Sequence, residues 1–217
     1  MKPWLLGPLL ACAFVLTFTG CKTAYYGVME QFGVEKREIL VDRVEEGRDA
    51  QKDAKKEFQS ALAAFQSVTG FRGGELEALY SKLNGHYEDC SERVDEVEKR
   101  IDSIESVAED LFAEWKKELG EMHDPKLKAQ SESTLADTRA RYAQLLAAMK
   151  KAAAKMKPVL VSFHDHVLFL KHNLNAQAIA SLSGNLGAIE TDVAGLVREM
   201  EASIAEADAF VKQMGGG

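Results

Sequence analysis

Residues 76–115 read LEALYSKLNGHYEDCSERVDEVEKRIDSIESVAEDLFAEW, and the apolar positions in that stretch decide the fold. Leu76, Tyr80, Leu83, Tyr87, Cys90, Val94, Val97, Ile101, Ile104, Ala108, Leu111 and Trp115 follow one another at intervals that alternate four and three without a break. That spacing is a heptad seam, the pattern of a long helix packed lengthwise on others. Between the seam positions Glu92, Asp95, Glu96, Glu98, Asp102 and Glu105 alternate with Arg93, Lys99 and Arg100, as on a solvated, ion-paired face. A helix from Glu75 to Leu119 runs about 68 Å at 1.5 Å per residue, longer than a compact domain needs.

The same periodicity recurs on both sides. Upstream, from Val34 to Val68, the seam is Leu40, Val44, Gly47, Gln51, Ala54, Phe58, Ala61, Phe65 and Val68. Gly47 and Ala54 leave room for a neighbouring helix, and Gln51 puts a polar group where it can fix register. Thr69-Gly70-Phe71-Arg72-Gly73-Gly74 is turn punctuation between the two helices. Downstream, Gly120 ends the second helix and Asp124-Pro125 starts a third, Asp as cap and Pro at the first helical position.

The third helix carries Leu135, Thr138, Tyr142, Leu145, Met149, Ala152 and Met156 as far as Pro158, which kinks or divides it. Beyond Pro158, Leu160, Phe163, Val167, Leu170 and Leu174 form the seam, while Val161, Leu168 and Phe169 widen the apolar face, so this part is expected to be the central, most buried helix. Ser183-Gly184-Asn185 is expected to break it before a last helix with Leu186, Ile189, Val193, Leu196, Met200, Ser203, Ile204, Ala207, Phe210 and Met214. The reading is all-α: an elongated antiparallel bundle of four or five long helices with coiled-coil-like seams, over residues 34–214, with 215–217 a frayed tail.

The N-terminus belongs to another class. After Lys2 comes an apolar run from Leu5 to Phe18, too short for a membrane span of about 20 residues but suited to a secretory signal. It ends Phe18-Thr19-Gly20-Cys21, which resembles the lipobox of bacterial lipoproteins despite Phe18 in place of the usual Leu. Leu9-Leu10-Ala11-Cys12 has the same look but leaves too little apolar sequence ahead of it, so Cys21 is the expected lipid attachment residue and 1–20 the signal peptide. Lys22 is not the Asp that resembles an inner-membrane retention signal, which points to the periplasmic face of the outer membrane. Residues 21–33 read as a tether whose Tyr25, Tyr26 and Phe32 either lie at the membrane surface or pack on the bundle end.

Removing residues 1–20 takes away Lys2 and no acid, so the net charge of −7 becomes −8. Nucleic acid is therefore not an expected partner, since phosphate binding uses a basic stripe. With Cys12 removed and Cys21 acylated, Cys90 is the one free thiol of the mature chain, and its seam position predicts plain burial. His164 and His166 project about 200° apart on a helix, and neither stands four residues from His172, so the three do not form a helical zinc site. Met149, Met156, Met200 and Met214 read as core, and no catalytic residue, cofactor site or metal site is expected.

The segment Tyr25-Tyr26-Gly27-Val28-Met29-Glu30-Gln31-Phe32-Gly33-Val34-Glu35-Lys36-Arg37, continuing through Ile39-Leu40-Val41-Asp42-Arg43-Val44, resembles an uncharacterised bacterial family, a domain of unknown function found in predicted envelope lipoproteins. The resemblance implies a Gram-negative envelope protein and brings no activity or site residues. With no catalytic motif, the expected function is a lipid-anchored interaction or scaffold protein, its partners the membrane through Cys21 and another envelope protein or a second copy. A carrier of lipid or another apolar ligand is the alternative. Membrane shaping lacks the basic concave face it needs, and an enzyme is not expected.

Overall fold

The computed structural model describes residues 36–68, 76–173 and 175–215, and among them four α-helices account for nearly every position, with no strand. They are α1 (Lys36–Val68), α2 (Leu76–Glu121), α3 (Pro125–His172) and α4 (Ala176–Gly215). The expected signal peptide, the tether, Cys21, the Gly70–Gly74 break and the last two glycines lie outside the described residues. Each helix packs on two others, in the ring order α1, α2, α3, α4 and back to α1.

Polar pairs along three of the four seams show the direction of each helix. From α1 to α4 they run Arg48–Asp208 at 3.0 Å, Lys55–Glu201 at 3.3 Å and Gln66–Glu190 at 2.8 Å, one number rising as the other falls. From α1 to α2 they run Lys36–Glu114, Glu46–Arg100 and Glu57–His86, and from α2 to α3 Glu105–Lys150 and Glu98–Lys157. Every neighbour is antiparallel, and Arg37 donates to the carbonyl of Met214 where the start of α1 meets the end of α4. Exposed pairs of this kind contribute about 0–1 kcal/mol each, so they align the helices more than they stabilise them.

Stability comes from the seams themselves. All nine seam residues named for α1 are buried, with Ile39, Ala50 and Ala64 beside them. In α2, Leu83, Cys90, Val94, Val97, Ile101, Ile104, Ala108 and Leu111 are buried as the spacing predicts, and Leu79, Val107, Phe112 and Leu119 join them. The additions follow from geometry: a helix that faces two neighbours buries a wider stripe than a two-stranded coil does. Full burial of one such Leu, Ile or Phe contributes about 1.5–3 kcal/mol. Phe163 of α3 sits between Phe58 at 5.9 Å and Phe65 at 5.0 Å, an aromatic cluster that joins α1 to α3 across the ring.

Gly47 has the role its spacing predicted. A Cβ built there would lie 2.8 Å from Ile104 Cδ1 and 2.8 Å from Met149 Cε, so α1 approaches α2 and α3 closely at this level. The third helix begins as read from the sequence, with the Asp124 carboxylate accepting from the amides of Lys126 at 2.8 Å and Leu127 at 3.1 Å.

One boundary and the burial of one segment differ from the sequence reading. At Pro158, where the sequence leaves a kink and a division both open, α3 is not divided: the proline's side is exposed, and buried Met156, Val159 and Phe163 hold the helix through the missing hydrogen bond. The break lies at Asn173–Asn175 rather than at Ser183-Gly184-Asn185. Asn173 donates from its amide to Leu170 O at 3.1 Å and from its side chain to Phe169 O at 2.9 Å, which closes α3. Ser183, Gly184 and Asn185 stay helical because Leu182 and Ile189 are buried on either side of them.

The segment after Pro158 is also not a central helix. A ring of four has no centre, and α3 turns Val161, Leu168 and Phe169 outward, 59%, 38% and 40% exposed. Val159 takes the core position expected of Leu160, which keeps the seam in step toward Phe163 and Val167.

Candidate functional site

Four of the five histidines, His86, His164, His166 and His172, lie in the half of the bundle where α1 and α3 end and α2 begins. The α3 histidines diverge, as their spacing required. His164 stacks on Tyr87 of α2, with ring centroids 4.7 Å apart, and His166 lies edge-on to Phe65 at 6.1 Å. Burial pushes the His166 ring below the usual imidazole range, against the opposing pull of Asp165. His172 is exposed on the last turn of α3.

A different group converges, and sequence reading passed over it. Glu57 on α1 meets His86 and Asp89 on α2, with the donor atoms of all three within 4.8 Å of one another. His86 Nδ1 and Glu57 Oε1 are 2.8 Å apart, and their side chains are only 25% and 23% exposed. The signal was present in the sequence: His86 and Asp89 are three apart on one helix face, beside the seam residues Leu83 and Cys90. It was missed because Glu57 lies 29 positions upstream, and only the antiparallel register of α1 and α2 brings it alongside.

Cys90 adjoins this group. It is free and fully buried. Burial pushes its thiol well above the usual range, and the charges of Glu57 and Asp89 add to the shift, so the thiolate is strongly disfavoured. A thiol in that state is inert, as the seam position predicted.

The third feature is the outer face of α3. Val161 and Leu168 project within about 20° of each other on the helix, with Phe169 about 80° from Val161. All three are apolar and exposed, with the exposed carboxylate of Asp165 among them, while Leu127, 60% exposed, stands apart near the start of the same helix. Two surface grooves differ in kind from this face. One lies between α2 and α3 and is rimmed by Glu98, Asp102, Lys150 and Lys157, and the other lies between α1 and α4 and is rimmed by Lys52, Lys55, Lys56 and Glu201.

Residues 25–214 match the family model described as Protein of unknown function (DUF2959). The chain belongs to this family. The match spans all four helices of the bundle and leaves residues 1–24, with Cys21, outside it. No curated protein and no solved structure matches the chain. DUF2959 membership therefore carries no activity, and the chemistry has to be argued from the residues.

Proposed function

We propose that the protein is a lipid-anchored interaction protein of the bacterial cell envelope, held through Cys21 at the periplasmic face of the outer membrane and engaging a partner through the outer face of α3. The observation that carries this reading is the apolar patch of exposed Val161, Leu168 and Phe169 on the outer side of α3. An apolar face on a helix is matched by a second helix laid along it, from another envelope protein or from another copy of this chain. Leu168 lies near the level of Phe65, which stacks on Phe163, about 44 Å along α1 from Lys36. A partner docked there meets the end of the bundle remote from its N-terminal connection.

The alternative, a carrier of lipid or another apolar ligand, rests on the same apolar residues. The two grooves described above have apolar floors, Ile101 with Ala153 in one and Ile204 with Ala205 in the other, but both are open and rimmed by lysines and carboxylates, so neither encloses an apolar guest. Photo-crosslinking in cells tests the interaction reading. A photoreactive residue at Val161 or Leu168 should give a discrete protein adduct, and one at exposed Asp53 of α1 should not. Equal labelling at the two faces, or none at α3, overturns the proposal. Cys21→Ser should release the protein from the membrane fraction and abolish acyl labelling, while Cys12→Ser should do neither.

A further inference from the structure

We propose that Glu57, His86 and Asp89 form a binding site for a first-row divalent cation, of the zinc type, clamped between α1 and α2. This inference is independent of the interaction reading and stands on the geometry of the three side chains.

The donor set is the first argument. One imidazole and two carboxylates are hard-to-borderline ligands that suit Zn²⁺ and its neighbours. Three protein ligands with one open side leave room for water or an incoming group. His86 and Asp89 stand one helical turn apart, on the same face of α2, and Glu57 comes from the helix opposite. A site of this form is held by two rigid elements rather than by a loop.

The distances are the second. Ligand atoms about 2.0–2.2 Å from a common ion lie about 2.8–3.5 Å from one another, depending on whether the geometry is octahedral or tetrahedral. His86 Nδ1 and Glu57 Oε1 are already 2.8 Å apart. The remaining separations, up to 4.8 Å, close by rotation of the exposed Asp89 side chain, which nothing in the core restrains.

Charge is the third. At several other places between the helices a carboxylate is matched by lysine or arginine, Glu46 by Arg100, Glu105 by Lys150, Glu98 by Lys157 and Glu201 by Lys55, while Glu190 meets the neutral Gln66. At Glu57 the facing group is His86, and Asp89 is paired with no lysine or arginine among the described residues. Two carboxylates thus stand together without a lysine or arginine, Glu57 partly buried and Asp89 at the surface, and both bear on the Cys90 thiol beneath. A bound divalent ion supplies the missing positive charge.

The test uses the full chain, purified in detergent and stripped with a chelator. Titration with Co²⁺, followed by displacement with Zn²⁺, should show one site with visible ligand-field bands and no thiolate charge-transfer band, since Cys90 is not among the ligands. Native mass spectrometry should count one zinc per chain. His86→Ala, Glu57→Gln and Asp89→Asn should each weaken binding at least about tenfold, whereas His164→Ala and His172→Ala should leave it unchanged. Zinc should raise the melting temperature of the parent chain and not that of Glu57→Gln, whose own melt shows that it folds. Binding that survives His86→Ala, or a stripped chain that takes up no metal, overturns the proposal.

Discussion

Replacing Gln51 with methionine should make the protein more stable. Gln51 is fully buried on the α1 seam, and neither its amide nitrogen nor its carbonyl oxygen has a hydrogen-bond partner in the protein. The ion pairs Arg48–Asp208 and Lys55–Glu201 bracket it on α1 and bracket Ser203 on α4, whose buried hydroxyl also has no protein partner. A buried polar group left unsatisfied costs about 1–3 kcal/mol. Methionine has nearly the same length, volume and helix propensity and carries neither donor nor strong acceptor. Gln51→Met should therefore stabilise the bundle by about 1–3 kcal/mol, a rise in melting temperature of about 2–4 °C per kcal/mol for a domain of this size. Urea unfolding followed by circular dichroism measures it: the midpoint should move up with the slope unchanged, which also shows that register has not loosened. A loss of about 1 kcal/mol or more would refute the reasoning, because the amide would then have to be satisfied in the native state. Adding Ser203→Ala closes a double-mutant cycle, and a coupling above about 0.5 kcal/mol would mean that the two groups bond to each other.

Phe163→Ala should cost about 3–5 kcal/mol, measured in the same urea titration, because it empties the contact between Phe58 and Phe65. At Gly47, alanine displaces only the tips of Ile104 and Met149 and gains helix propensity, so it should change stability by less than about 1 kcal/mol, whereas leucine should cost about 1–3 kcal/mol by overpacking; thermal melts of the two variants separate the outcomes. Cys90 should resist a thiol reagent in the native protein at pH 8 and react at once in denaturant, and rapid native labelling would contradict its burial. His166 is held neutral by burial, its folded pKa lying below the unfolded value. Its contribution is whole above pH 6.5 and is lost as pH falls toward the lower folded value, so His166→Gln should flatten the decline in stability on acidification through that range.

The four helices were legible because each is long and spaces its apolar positions by threes and fours, in strict alternation except in α3 beyond Met156, and a seam read over many turns tolerates local ambiguity. Gly47 as a point of close approach, the Asp124 cap and the burial of Cys90 all followed from position alone. The errors fell where local signals and tertiary packing disagree. Ser183-Gly184-Asn185 is a strong breaker by propensity, yet buried Leu182 and Ile189 carry the helix through it, and buried neighbours likewise decide against a division at Pro158, which the sequence leaves open. Val161, Leu168 and Phe169 read as core because hydrophobicity does not reveal which way a helix turns in a ring. The Glu57, His86 and Asp89 group was hidden because it spans two helices, and register between helices is not a property of either sequence segment.

The up-and-down order of the ring also fixes how the bundle meets a mechanical load. Lys36 stands beside Glu114 and Arg37 beside Met214, so the chain enters and leaves at one end, while Phe65, Phe163 and the outward Leu168 mark the other. Tension applied between Lys36 and a body held at Leu168 runs along the helix axes. It loads the seams in shear, with many side-chain layers resisting together, rather than peeling one helix from the next a layer at a time. A protein that tied a membrane to something pulled away from it would resist best in that geometry.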